Sequence, residues 1–202
     1  MDFEVVVVGG SSSGLYAAEL LAQQGKRVAV FEREMEISSG SRLYIITPGL
    51  YRVLPDLDPS LIRQHVHAFH LFADGYQARL NLSDPDLVID RSQLLRYLYH
   101  RAISAGVEFY FNHEFIGFKD KSAGNDLLFE NGGKKLNVET DYLIGADGVQ
   151  SQVRSALGLK PTPRVPLLQA EVKLPDDWDY QSSRVWFKPE KSRYFYWMIP
   201  DQ

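Results

Sequence analysis

Phe3-Glu4-Val5-Val6-Val7-Val8-Gly9-Gly10-Ser11-Ser12-Ser13-Gly14 opens the chain. An apolar stretch to Gln24 follows, then Arg27-Val28-Ala29-Val30-Phe31-Glu32-Arg33. A strand of β-branched residues, a glycine turn, a helix carrying Leu15, Ala18, Leu21 and Ala22, and a second strand ending in an acid predict a βαβ unit that seats a dinucleotide. Gly9 lets the chain turn sharply out of the first strand, and Gly14 lets the helix pack closely on it. Ser11 stands where the usual pattern has its second glycine. A phosphate therefore sits slightly farther out, or accepts a hydrogen bond from the Ser11 hydroxyl. The free N–H groups at the helix start still favour an anion, which makes Gly9, Ser11, Ser13 and Gly14 the candidate phosphate-binding residues. Glu32 lies 18 residues past Gly14, near the ~20-residue spacing at which an acid meets a ribose hydroxyl. A carboxylate there disfavours a 2′-phosphate, so the expected nucleotide is FAD or NAD and not NADP. An ordinary Gly/Ser turn would account for the glycines but not for the strand, helix and acid arranged around them.

The bulk composition narrows the class. The 202 residues suffice for one large domain or one and a fraction, and 45% hydrophobic content is ample for a core. A net charge of −4 and the absence of a long basic run argue against nucleic acid as the main partner. No apolar run approaches the ~18 residues of a membrane span. The N-terminus enters the first strand at once, so no signal peptide is expected. The expectation is a soluble, cytoplasmic protein, a reading compatible with peripheral contact at a membrane surface. The chain contains no cysteine, so disulfides, thiolate metal sites and Cys-x-x-Cys redox chemistry are excluded within it.

Beyond Arg33, a polar stretch from 37 to 41 precedes Arg42 and a short helix from Pro48 through Leu54. Strand-like runs follow at Val66–Phe72, Tyr76–Leu82 and Leu87–Ile89, with turn signals at Asp74-Gly75 and Asp84-Pro85-Asp86. Leu94, Leu95, Leu98, Ala102 and Ile103 fall on one face of a helix from Arg91 to Ala105, capped at Gly106. Val107–Phe111 returns to the parallel sheet. A meander of Phe115–Lys119, Leu127–Glu130 and Leu136–Glu139 comes next, its last two strands joined at Asn131-Gly132-Gly133. Tyr142–Ile144 reads as a separate buried strand, and Ser151–Leu157 as a short helix. After Pro161, Pro163 and Pro166 the texture turns β-rich and aromatic, with strands expected at Leu167–Leu174, Val185–Lys188 and Tyr194–Ile199.

Gly145-Ala146-Asp147-Gly148-Val149-Gln150-Ser151-Gln152-Val153-Arg154 is the second informative constellation. An acid on a glycine-flanked turn at a strand end can approach a ribose or pyrophosphate, although Ala-Asp-Gly taken alone is a common turn. Together with the opening βαβ unit and the Asp90-Arg91 pair that starts a helix after a strand, it resembles the FAD-dependent group that includes p-hydroxybenzoate hydroxylase-like aromatic-ring hydroxylases and geranylgeranyl reductases. The Phe195-x-Trp197-x-Ile199-Pro200 tail is similar to an element of the reductase branch.

The resemblance implies an α/β chain: a Rossmann-like FAD-binding βαβ fold with an inserted antiparallel meander, plus part of a β-rich substrate domain. Residues 1–160 would be the FAD-binding domain, with 64–89 an excursion toward the substrate domain, and 161–202 would begin that incomplete domain. It further implies Glu32, with Arg33 after it, at the adenosine ribose, and Arg42 and Arg91 along the pyrophosphate or flavin side. The backbone near Phe115 would meet the adenine, and Asp147 and Gly148 the flavin nucleotide.

The implied activity is FAD-dependent oxidoreduction, either hydroxylation of an aromatic substrate or reduction of C=C bonds in an apolar, isoprenoid-like one, with NAD(P)H as electron donor. No catalytic side chain stands out, and a flavoprotein requires none. Family members run on to a third, Gly-Asp motif. The chain reaches Gln202 without it, which raises the expectation of a truncated chain with exposed apolar surface and self-association. Two alternatives stay open: an NAD-dependent dehydrogenase, and a non-catalytic nucleotide-binding module completed by a missing half or a partner. His65, His67 and His70 have no accompanying acid cluster, and no metal site is expected.

Overall fold

The computed structural model describes residues 2–37, 40, 42–119 and 126–201. Ser38, Ser39 and Ser41 of the polar stretch lie outside the described residues. The chain divides into two compact units, Met1–Ser39 with Leu94–Leu167, and Gly40–Gln93 with Leu168–Gln202. Among the described residues, no helix is long and apolar enough to cross a membrane.

The first unit opens with β1 (Asp2–Val8), α1 (Ser12–Gln23) and β2 (Val28–Phe31). The chain then builds most of the second unit: β3 (Leu43–Ile46), a single helical turn α2 (Leu50–Val53), a 3-10 turn at Pro59–Leu61, β4 (Ile62–Ala73) and β5 (Tyr76–Asp90). It re-enters the first unit along α3 (Arg91–Ser104). There it adds β6 (Glu108–Tyr110), β7 (Glu114–Phe118), β8 (Asp126–Asn131), β9 (Lys134–Gly145) and α4 (Gln152–Ala156) before ending in β10 (Ser182–Phe187) and β11 (Phe195–Met198).

The first sheet has the order β6-β2-β1-β9-β8-β7. β1 runs parallel to β2 in the register Val5↔Val28 to Val8↔Phe31, and β2 runs parallel to β6. The four-valine run is continuous because both faces of β1 are buried. Val5 and Val7 pack with Ala18 of α1 and Ala102 of α3, while Val6 and Val8 pack with Phe115, Phe129, Val138 and Val153 beneath the meander. An α/β fold of the expected class results.

Four readings of local structure are corrected. Asp84-Pro85-Asp86 is not a turn, because β5 runs through it. Between Val66↔Asp86 and Ala68↔Asn81 the β4–β5 register shifts, so Pro85, which has no N–H to donate, falls in a bulge where the ladder asks for none. Tyr142–Ile144 is no separate strand: β9 pairs antiparallel with β8 through its first half and parallel with β1 from Glu139 to Gly145. Ile144 packs on the helix-side cluster, but Tyr142, one pleat earlier, stands clear of it and is 69% exposed. Leu94, Leu95, Leu98 and Ala102 are buried on α3, whereas Ile103 is 45% exposed, at the edge of the apolar stripe. Leu167–Leu174 forms no strand; the second sheet, ordered β11-β10-β4-β5-β3, is completed without it.

Two turns are as read. Asp74 and Gly75 join β4 to β5 with φ of +47° and +82°, and Gly132 and Gly133 join β8 to β9 with φ of +56° and +83°, the left-handed pairs that two-residue hairpins require.

Candidate nucleotide-binding site

The ends of the parallel strands of the first unit converge on the glycine loop. Gly9 donates its N–H to the Phe31 carbonyl at 2.9 Å, and Ala146 donates to the Val8 carbonyl at 2.8 Å. Gly9 has φ of +107°, and a Cβ there would lie 2.5 Å from the Ala146 carbonyl oxygen. Gly14 is held more tightly still, since its Cβ would lie 2.1 Å from the Gly9 carbonyl oxygen and 3.1 Å from Ala146 Cβ. The first and last glycines therefore let strand, helix and the Ala146 turn come into contact. No side chain caps α1, and its first turn carries no acid, so its initial N–H groups, which have no intrahelical acceptor, keep their affinity for an anion. Ser11 Oγ lies 3.1 Å from Ser13 Oγ and donates to the Ala146 carbonyl at 3.2 Å. The hydroxyl that replaces the second glycine is thus turned across the loop toward Ala146.

Glu32 follows β2, and both its carboxylate oxygens are engaged. Oε2 accepts from the Gly10 N–H at 2.6 Å, and Oε1 from the Glu34 N–H at 2.9 Å. Arg33 is exposed and pairs with Glu34 at 3.4 Å. It borders a polar hollow of about 220 Å³, together with Asn112, Glu114 and Glu130. Phe115 is 3% exposed and packs edge-on to Phe118 and Phe129, so only its backbone is available to a ligand.

Asp147 is taken up locally. Its Oδ1 accepts from Ser151 Oγ at 2.6 Å, and its Oδ2 from the N–H groups of Gln152 at 2.6 Å and Val153 at 3.1 Å, while Ser151 Oγ accepts from the Arg154 N–H. The carboxylate thereby fixes the start of α4 and, through it, the turn containing Gly148, which has φ of +79°.

In the second unit, the Arg91 N–H donates to the Arg42 carbonyl at 2.8 Å, where Leu43 pairs with Asp90. Asp90 caps α3, accepting from the N–H groups of Ser92 and Gln93. The two arginines are therefore neighbours along the backbone. Arg42 also lines a cavity of about 550 Å³ with Leu43, Leu168, Tyr196, Trp197 and Met198. Among the described residues, no group of three His, Cys, Asp or Glu is placed to hold a metal ion; His70 Nε2 lies 3.1 Å from the Arg79 guanidinium.

Three participants were not legible in the sequence: Ala146, as the wall against Gly9 and Gly14; the Gly10 N–H, as a partner of Glu32; and the Glu34 N–H. The small residue within Gly-Ala-Asp-Gly is the one signal that could have pointed to the first.

The description "FAD binding domain" belongs to the family whose model matches residues 2–198. The chain is 29% identical over 174 residues to a probable 2-heptyl-3-hydroxy-4(1H)-quinolone synthase of Rhodococcus erythropolis, an alignment covering 76% of the chain and 41% of that protein. It is 26% identical over 160 residues to the digeranylgeranylglycerophospholipid reductase of Methanocaldococcus jannaschii, covering 78% of the chain and 41% of that protein. Its fold is shared by a geranylgeranyl bacteriochlorophyll reductase-like protein of Thermoplasma acidophilum, with a TM-score of 0.80 at 19% identity, over 100% of the chain and 54% of the other. The chain thus spans about two fifths of the length of these curated relatives.

Proposed function

The chain belongs to the FAD binding domain family, and from that premise we propose that it is the nucleotide-binding part of an FAD-dependent oxidoreductase. The observation that carries this reading is the glycine cradle, where a Cβ at Gly14 would fall 2.1 Å from the Gly9 carbonyl, set beside an acid at the end of β2. Glycines that bring strand and helix this close, an uncapped helix start and a carboxylate suited to ribose hydroxyls fit an adenine dinucleotide. Gly9, Ser11, Ser13 and Gly14 would hold the pyrophosphate and Glu32, followed by Arg33, the adenosine ribose. The backbone at Phe115 would meet the adenine. Asp147 would serve through the turn it fixes, with Gly148, and Arg42 and Arg91 would supply positive charge toward the pyrophosphate or flavin.

When bound, the isoalloxazine supplies the hydride and oxygen chemistry, and the protein supplies binding and orientation. The proposed reactions are hydroxylation of an aromatic substrate or reduction of C=C bonds in an apolar, isoprenoid-like one. The names of the two curated relatives, a quinolone synthase and a phospholipid reductase, support these two classes. NAD(P)H is the proposed electron donor and the cytoplasm the proposed location. Residues 1–160, with 64–89 as an excursion, are assigned to FAD binding, and 161–202 to the start of a substrate domain. The exposed Phe187, Phe195 and Tyr196 support self-association of the 202-residue chain. Heating the purified protein should release a ligand with flavin absorbance that migrates as FAD. Release of NAD, with no flavin even from a longer version of the chain, would overturn the reading.

A further inference from the structure

Both carboxylate oxygens of Glu32 accept from backbone: Oε2 from the N–H of Gly10 in the glycine loop, at 2.6 Å, and Oε1 from the N–H of Glu34 in the loop after β2, at 2.9 Å. We propose that Glu32 is a positioning residue that clamps these two loops together, so that its contribution to nucleotide binding persists for a ligand with no ribose hydroxyls. This rests on the nucleotide-binding reading above.

The space around Gly10 agrees with such a clamp. A Cβ there would lie 2.5 Å from Ile37 Cδ1 and 3.1 Å from Glu32 Oε2, so the acid and Ile37 close on the loop from the β2 side. A carboxylate is suited to the task because it only accepts hydrogen bonds and offers about four lone-pair sites. It can satisfy both backbone donors and keep capacity for a ribose hydroxyl. Glutamine, its isostere, cannot: one end would be an NH2 group facing an N–H, which leaves one loop amide unpaired. Glu32→Gln therefore removes half the clamp while conserving size.

The test is a thermodynamic cycle, with ADP and 2′,3′-dideoxy-ADP titrated into the wild-type chain and into Glu32→Gln by calorimetry. A clamp predicts a loss on the order of 10–100-fold in affinity for both ligands. If Glu32 acts only on the ribose, the loss will appear with ADP and vanish with the dideoxy ligand, which overturns the proposal. A wild-type chain that binds neither ADP nor FAD overturns instead the nucleotide-binding reading. Amide hydrogen exchange on the ligand-free wild type decides the matter if Glu32→Gln does not fold. The Gly10 and Glu34 amides should be protected, and exchange at the rate of open loop amides would refute the clamp.

Discussion

The two units use their polar groups and their aromatic side chains differently. In the first, the 2%-exposed Glu19 of α1 accepts from Arg101 of α3 through Nε at 2.9 Å and Nη2 at 2.7 Å, and from Gln23 at 3.0 Å. The aromatics Phe31, Tyr110 and Phe129 stack in the core, with centroids 4.6 and 4.1 Å apart. In the second, Gln64 Oε1, Trp178 Nε1 and Ser183 Oγ are buried without a hydrogen-bond partner among the described residues, against Asn137 Oδ1 alone in the first. There, Phe187, Tyr194, Phe195 and Tyr196 are each more than 40% exposed. One unit pairs more of its buried polar groups internally and shapes its candidate site with backbone; the other leaves aromatic surface open. The lesson is that a backbone site tolerates almost no added atoms, whereas a surface of side chains should tolerate substitution and change what it binds or associates with.

The largest expected effect tests that contrast through ion pairs. Arg101→Ala leaves the buried Glu19 carboxylate without its cation and should destabilise the chain by about 3–5 kcal/mol in denaturant unfolding. A cost below 1 kcal/mol would show that the first unit is not closed in this way.

Next comes Gly14→Ala, whose methyl group meets backbone and not a movable side chain. We expect a loss of about 3 kcal/mol, read as a lower Tm together with weakened flavin binding. Retention of both would mean that α1 can move off β1, and the cradle would not be rigid.

Glu32→Ala should weaken FAD binding by roughly 1.5–3 kcal/mol, seen in a flavin titration, while the chain stays folded by circular dichroism. An unchanged titration would detach the acid from the site.

In the second unit, Phe195→Ser should leave the fold intact and shift the sedimentation profile toward monomer. A wild-type chain that is already monomeric would break the comparison on that side. The smallest effect is expected from Arg79→Ala, because its pair with Asp179 spans 3.6 Å and is about half exposed. A change within about 0.5 kcal/mol is anticipated, and a cost like that of Arg101→Ala would erase the distinction between the units.

Much of the first unit was legible because its signals are local. Val5–Val8 could be read as the first strand of a βαβ unit, and the Asn131-Gly132-Gly133 hairpin followed from the φ that its glycines permit. Misreadings arose where local chemistry pointed one way and a distant partner another. Pro85 reads as a breaker, and only the extra residues of β5 opposite β4 let it remain in a strand. Asp147 reads as an acid on a glycine-flanked turn, and only the structure adds that it also accepts from donors at the start of α4.

The sequence by itself determined the βαβ unit, the glycine positions and an acid at the end of β2. Each of these depends on φ, on the pleat period or on a spacing within about twenty residues. Only the tertiary structure decided that Glu32 holds Gly10 from 22 residues away, that Arg101 reaches Glu19 across 82, and that Ser11 turns to Ala146 across 135. The physical reason is that a hydrogen bond is specified by the position of both partners. Sequence patterns constrain each partner's own segment, and the distance between them is set only when the strands carrying them pair.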